Sequence, residues 1–339
     1  MTTKSFHSIL REISEDQTSY EDNEPISPED TESFPLCDGE DIEILMQCEV
    51  HFGGCFSIML DYYKNEENKG VIEEFSMERI HNLQNIESQI NKSLPPLLVS
   101  GADAEKIGRA KKAYKQLKEI YEFDSPQDHE TKLIANLILS EEELPEEDIQ
   151  AITAKGKSIV PALTALLKSE EFKDTLFPGY GQGPTLAAYC LGEIGEESAI
   201  PMLFEEIKKE DFFSAQVSVQ ALKKIGSRAK EFLLKTLSLQ PLTQDNDCAS
   251  FALLSFEDPI AAKVCLNILK DFDVNKNPFL TLHLVMNCSY LNTKEDREVF
   301  KELTQKTSFP SSLDADIKAI FNDWKTSSTL LDNSVPVPS

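Results

Sequence analysis

The sequence predicts an all-α chain whose larger part is an α-solenoid of helical hairpins, preceded by a helical region and an acidic disordered arm. Three observations carry this expectation. Apolar residues in the second half recur with a fixed offset of 31 residues, so that Leu191, Leu222, Leu253 and Leu284 fall in one column. Upstream of them, apolar side chains recur at alternating spacings of three and four, the period of an amphipathic helix. Finally, no lysine or arginine occurs between Arg11 and Lys64, where acids, serines and prolines crowd together.

The resulting organisation is an acidic arm over 1–40, a helical N-terminal region over 41–148, a repeat array with a closing helix over 149–326, and a disordered tail over 327–339. In the arm, SEDQTSYEDNEPISPEDTESF offers too few core-forming side chains to offset the entropy of ordering. From Asp41 onward, DIEILMQCEV and CFSIMLDYYK read as two short helices interrupted by Gly53 and Gly54. MERIHNLQNIESQI reads as a third, stopped by Pro95 and Pro96. In ADAEKIGRAKKAYKQLKEIYE, Ile107, Ala110, Tyr114, Leu117 and Tyr121 form one seam, while Lys111, Lys115 and Lys118 lie on another face, the common look of a solvated helix surface. HETKLIANLIL adds a helix, and the acidic stretch from Glu141 to Asp148 reads as a connector.

Within the array, small residues flank the leucine column: Cys190, Ala221, Ala252, and then His283. Two helices approach closely only where such positions are small. Each first helix is followed by a turn and a second helix. There Leu163, Leu203, Leu233 and Cys265 align after a one-residue slip, and Leu167, Ile207, Leu237 and Leu269 follow four residues on, on the same face. Gly156, Gly195 and Gly226 mark the turns, and Pro161 and Pro201 open second helices, where a missing N–H costs little. In the last copy Val299 and Leu303 keep the spacing. SLDADIKAIFNDWK, with Leu313, Ile317, Ile320, Phe321 and Trp324, reads as a helix covering the end of the stack.

LAAYCLGEIGEESAIPMLFEEIKK resembles the short HEAT repeat typical of phycobilisome-lyase-like proteins, with an alanine-rich first helix, an L-G-x-I-G turn and an A-I-P-x-L opening of the second helix. The resemblance extends over about Ile149 to Leu303. It implies a HEAT-like solenoid, a fold that serves lyases, hydroxylases and passive scaffolds alike. The hydroxylases of this build bind two irons through histidine-glutamate pairs in several repeats. Here the sequence has only His129-Glu130, outside the repeats, so that activity is not carried over.

Composition narrows the functions further. A formal charge of −26 repels nucleic-acid phosphates and anionic lipid, no apolar run approaches a membrane span, and the seven scattered cysteines suit reduced thiols in the cytoplasm. The five histidines are dispersed, and His283 shares a column with small residues, as a half-buried packing histidine would. Cys48, Glu49, His51 and Cys55 have the residue types of metal ligands without a zinc spacing, and GYGQG at 179–183 lacks the lysine of a phosphate loop. No metal and no cofactor is expected.

The expected function is therefore a protein-binding scaffold or adaptor that uses the concave face of the solenoid, with a lyase-type enzyme in the same groove as the alternative. The expected contacts are Lys168, Lys208 and Lys270, one residue past the buried column of the second helices, with Ser238 in the intervening copy. Gly156 to Gly195 spans eight residues more than one repeat, and this insertion carries Phe177 and Tyr180. They are read either as aromatic anchors for a protein partner of unknown identity or as a cover for the first repeat.

Overall fold

The computed structural model describes residues 6–15, 38–64, 75–122, 129–140, 142, 144–209 and 211–332. They form eighteen α-helices, packed as neighbouring pairs, and contain no strand. None of these helices is long and apolar enough to cross a membrane. Contacts divide the chain into two compact units, 1–190 and 191–339, so that the division falls inside a helix and not at the 148/149 boundary read from the repeats.

The first unit opens with α1 (Phe6–Glu15), which corrects the expected extent of the arm. Phe6, Ile9 and Ile13 lie at i, i+3 and i+7, share one face, and are buried as α1 packs on α6 and α9. Burial of each such side chain stabilises by roughly 1.5–3 kcal/mol. Glu12 fixes the register: its carbonyl accepts from Lys112 Nζ at 3.3 Å and its carboxylate from Gln116 Nε2 at 3.2 Å. The rest of the expected arm, 16–37, lies outside the described residues.

Helices α2 (Gly39–His51) and α3 (Phe56–Lys64) flank the glycine break as expected. Asp38 caps α2 in a capping box with Asp41, and Arg79 of α4 (Met77–Ile90) binds Asp38, Glu40 and Asp41 together. α4 is stopped not by the paired prolines, as expected, but four residues earlier, where left-handed Asn91 (φ 53°) caps it; the prolines open a single turn, α5 (Pro95–Leu98). α6 (Ala102–Glu122) buries Ile107, Ala110 and Leu117 against its neighbours α1, α2 and α7 (His129–Leu139). α8 (Glu146–Thr153) starts within the expected acidic connector, whose Glu146, Glu147 and Asp148 stand in its first turn, where the helix dipole favours acids. The short α9 (Val160–Leu167) buries Leu163, Leu166 and Leu167.

α10 (Gly183–Ile194) contains the division between the units. The second unit continues as α11 (Ile200–Ile207), α12 (Phe212–Ile225), α13 (Ser227–Leu237), α14 (Gln244–Leu254), α15 (Pro259–Asp271), α16 (Pro278–Asn287), α17 (Lys294–Lys306) and α18 (Asp314–Asp332). Second helices pack most closely on the first helix of the following copy: α11 on α12, α13 on α14, α15 on α16. Leu191, Leu222, Leu253 and Leu284 are all fully buried, as are Leu203, Leu233 and Cys265 of the second helices. A Cβ added at Gly192 would stand 2.7 Å from the Ala221 Cα, so α10 and α12 touch backbone to backbone beside the leucine column.

Ion pairs repeat at nearly the same interval. Lys224 reaches Glu193 and Arg228 reaches Glu197 at 3.0 Å, each 31 residues back, while Lys230 binds Asp258 at 2.5 Å and Lys263 binds Asp296 at 3.2 Å. Such exposed pairs contribute roughly 0–1 kcal/mol each and serve register more than stability.

Two expectations shift at the end of the unit. The buried residue of α17 is Phe300, and Val299 is exposed, because Phe300 fills an aromatic cluster with Phe321 and Trp324 at 5.9 Å from each. α18 also runs on to Asp332, past the expected frayed start at 327, while 333–339 lie outside the described residues. Trp324 donates its Nε1–H to the Ser289 carbonyl at 2.8 Å, and Arg297 stacks over its ring at 5.1 Å.

Trp324 is the only tryptophan, so its fluorescence reports unfolding of the second unit. Leu222→Ala is expected to lower that unit's stability by about 2–5 kcal/mol, through lost burial and an unfilled cavity. Gly192→Ala is expected to destabilise as well, since its methyl group meets backbone rather than a side chain that can swing away. Urea midpoints unchanged from the unaltered protein would contradict the close packing described.

Candidate protein-binding surface

The insertion after α9 carries Phe177 and Tyr180, and in the structure it folds back on the first unit, with Phe177 buried and Tyr180 half-buried. Phe177 is 1% exposed and meets Phe172 edge to face at 6.4 Å; Leu176 beside it is buried too. Gly179, Tyr180 and Gly181 all have positive φ, at 79, 50 and 79°. At Gly179 any Cβ would collide with the Ile138 carbonyl, 2.3 Å away, so the chain passes this close to α7 only with a glycine there. Three consecutive left-handed residues reverse the loop onto the N-terminal helices. The Tyr180 ring then stacks on His51 at 4.5 Å, and contacts of this kind offset the cost of a left-handed tyrosine, on the order of 1–2 kcal/mol.

His51 is the post to which the loop is tied. Its Nε2 lies 3.0 Å from the Thr175 carbonyl, which can only accept, so Nε2 carries the proton. Nδ1 is then an acceptor, and Tyr114 of α6 donates its hydroxyl proton to it at 2.7 Å. Burial pushes the imidazole down to about 4, which keeps it neutral at pH 7. Lys106 of α6 adds an ion pair to Asp174 at 2.5 Å. With both nitrogens of His51 engaged, it does not join Cys48, Glu49 and Cys55 as a ligand, and among the described residues no group of three or more metal-ligating side chains converges.

The three lysines differ in their surroundings. In the first unit, Lys168 is exposed at the end of α9. In the second unit, Lys208 sits between Glu205 at 2.8 Å and Asp245 at 2.9 Å, above the Phe204 ring. Burial opposes its charge, but the hydrogen bonds to Glu205 and Asp245 outweigh it and raise its pKa above the usual lysine value. Its charge is thus already used in holding the end of α11 to the start of α14, where Gln244 Nε2 also donates to the Lys208 carbonyl at 3.2 Å. Lys270 is exposed at the end of α15 and donates to Asn267 Oδ1 at 2.9 Å.

At Ser238, the position that interrupts the lysine column, the second unit has an open groove of about 550 Å3, the α13–α15 groove, between α15 and the loop that follows α13. Half-buried Leu242, Val264, Ile268 and Phe272 form its apolar wall, and Ser238, Gln240, Asn267 and Asp271 its polar rim. The loop beside it is firmly held: Asn246 is buried and donates Nδ2–H to the carbonyls of Thr236, Leu237 and Leu239 at 2.9–3.1 Å, while its Oδ1 accepts from the Thr243 N–H. Asn246 thereby caps the C-terminus of α13 and the N-terminus of α14 at once.

Large apolar side chains stand exposed at the same kind of connection, from a second helix to the next first helix. Phe212 and Phe213 at the start of α12 are 70% and 59% exposed, Leu239 after α13 54%, and Phe279 at the start of α16 70%. Sequence reasoning passed over them, although the signal was present. Phe213 lies nine residues, or two and a half turns, before Leu222 and so on the opposite face of α12. Compared with known proteins, the chain matches no protein-family model and no curated protein.

His283 of α16 is half-buried; its Nδ1 is 2.6 Å from Asp247 Oδ1 and its ring packs on Phe251 at 5.2 Å, so it braces α14. Of the six described cysteines, all free thiols, Cys48, Cys190, Cys265 and Cys288 are buried. Cys55 is half-exposed, and the Ser57 hydroxyl, followed by the Ile58 N–H, holds its thiol below the usual value. Burial instead pushes Cys48 up to about 12.

Two outcomes follow. Unfolded histidine titrates near 6.5 and folded His51 near 4, so below pH 6.5 the unfolded chain binds the extra proton and stability falls. The contribution is complete above about pH 6.5 and is lost progressively down to pH 4, roughly 2 kcal/mol of it by pH 5. Urea titrations followed by circular dichroism at pH 7 and pH 5 are expected to show a smaller pH-dependent loss in His51→Gln than in the unaltered chain. Brief alkylation with iodoacetamide, read by peptide mass spectrometry, is expected to label Cys55 well before Cys48, Cys265 and Cys288.

Proposed function

We propose that the chain is a protein-binding scaffold, a HEAT-like solenoid that presents the edge formed by its second-helix ends to a partner in the cytoplasm. The observation that carries this reading is the exposure of Phe212, Phe213, Leu239 and Phe279 in the unit that also holds the α13–α15 groove. None of them is needed for the leucine columns, which are buried without them. Large aromatic side chains on a rigid frame are the usual anchors of protein interfaces, since they lose little entropy on binding and cover much area. Rigidity comes from the doubly capping Asn246 and the interhelical ion pairs. Six free thiols fit a reducing compartment.

The test is affinity purification from the native cell with the intact chain and with a Phe212→Ser/Phe213→Ser variant. The variant is expected to recover at least tenfold less of the specific partner while Trp324 reports an unchanged urea midpoint, because truncating an anchor typically costs 2 kcal/mol or more. Undiminished recovery would remove this surface from the interface. Turnover of a small molecule by the purified, partner-free chain, abolished by a change in the groove, would replace the scaffold reading with an enzymatic one.

A further inference from the structure

Resting on the scaffold reading, we infer that the α13–α15 groove receives an apolar segment of the partner that also bears an arginine or lysine. The apolar part follows from the wall. Leu242 comes from the loop after α13, Val264 and Ile268 from α15 and Phe272 from its C-cap; they converge on one cleft and remain only half-buried. Its volume of about 550 Å3 lies within the roughly 300–1,000 Å3 of clefts that enclose a ligand.

The cationic part follows from the rim. Asp271 is exposed on it and is the last residue of α15, so its carboxylate and the negative end of the helix dipole coincide at one end of the groove. Lys270, the nearest cation in sequence, has its Nζ on Asn267. At longer range the second unit, with 22 acids against 16 lysines and arginines over 191–339, draws a basic segment in more than an acidic one. An arginine satisfies wall and rim together, its methylenes on Val264 and Ile268 and its guanidinium on Asp271. Gln240 and Asn267 supply amides for the backbone of the same segment.

The test uses the full chain and three fluorescein-labelled peptides of about a dozen residues, with the same leucines and with arginine, glutamine or glutamate at the same positions. Fluorescence anisotropy is read near physiological ionic strength, where interactions beyond about 8 Å are screened. The arginine peptide is expected to bind at least tenfold tighter than the glutamine peptide, and the glutamate peptide weakest. Asp271→Lys, which suits a helix C-terminus and so preserves the fold, is expected to abolish that preference. Ile268→Asp is expected to weaken the arginine and glutamine peptides at least tenfold, and the Trp324 urea midpoint confirms that the variant is folded.

Equal affinity for the arginine and glutamine peptides, absence of binding by any of them, or arginine-peptide binding that survives Ile268→Asp would each overturn the inference. The last outcome would mean that the acidic surface attracts the peptide without the groove. If the native partner is nevertheless lost on Phe212→Ser/Phe213→Ser, the scaffold reading stands and only the assignment of the groove falls.

Discussion

Backbone contact between helices is the constraint on which the second unit depends. A helix of eleven or so residues buries one stripe, and the stripe of leucines at 191, 222, 253 and 284 is only completely covered if the adjoining positions let the next helix come close. Gly192 against Ala221 shows how narrow that margin is. Larger side chains are therefore displaced to positions where no neighbour needs the space, namely the first turns and last turns of helices. Phe212, Phe213 and Phe279 stand in first turns, and Leu239 just past a last turn. Exposed apolar area at the helix ends is the geometric complement of tight packing in the middle, and it leaves the buried columns intact.

The first unit solves a different problem. Its helices vary in length from one turn to more than five, and no period relates them, so they cannot close by repetition. They are held by specific contacts: Arg79 on three carboxylates, and a neutral histidine that ties α2 to α6 and to the loop after α9. Because α1 also packs on α9, the first helical hairpin of the repeat region belongs by contact to the N-terminal helices. The 31-residue period and the compact units consequently disagree about where the array starts.

Periodicity was the most legible property. The spacing in MERIHNLQNIESQI marks out Met77–Ile90, and the leucine and second-helix columns fall on buried residues of α9 to α16. What periodicity could not show was which of two readings a short segment takes. In the first residues, the Phe6, Ile9, Ile13 stripe was masked by the acids that follow it, although three apolar residues at helical spacing suffice when two other helices receive them. Val299 kept the arithmetic of the repeat while Phe300 kept the aromatic cluster, and the larger buried surface won. For the insertion, the sequence left open whether Phe177 and Tyr180 face a partner or fold back, and in the structure they fold back. Their direction depended on His51 and Ile138, more than 35 residues away in sequence, which no local pattern contains.

The lysine column illustrates why a surface pattern says less than a core pattern. A leucine column has one physical meaning, burial, and the structure gives it that meaning in each copy. Lysines one residue past it share a position in the repeat but not an environment: exposed at 168, paired twice at 208, hydrogen-bonded to an amide at 270. The copy that lacks the lysine, at Ser238, borders a groove. A repeat protein acquires a particular binding site where it departs from its own consensus, because positions that keep it are spent on neighbours. On that argument the irregular stretch from Ser238 to Thr243, with its exposed leucine and its loop held by Asn246, is where this chain differs most usefully from an idealised stack.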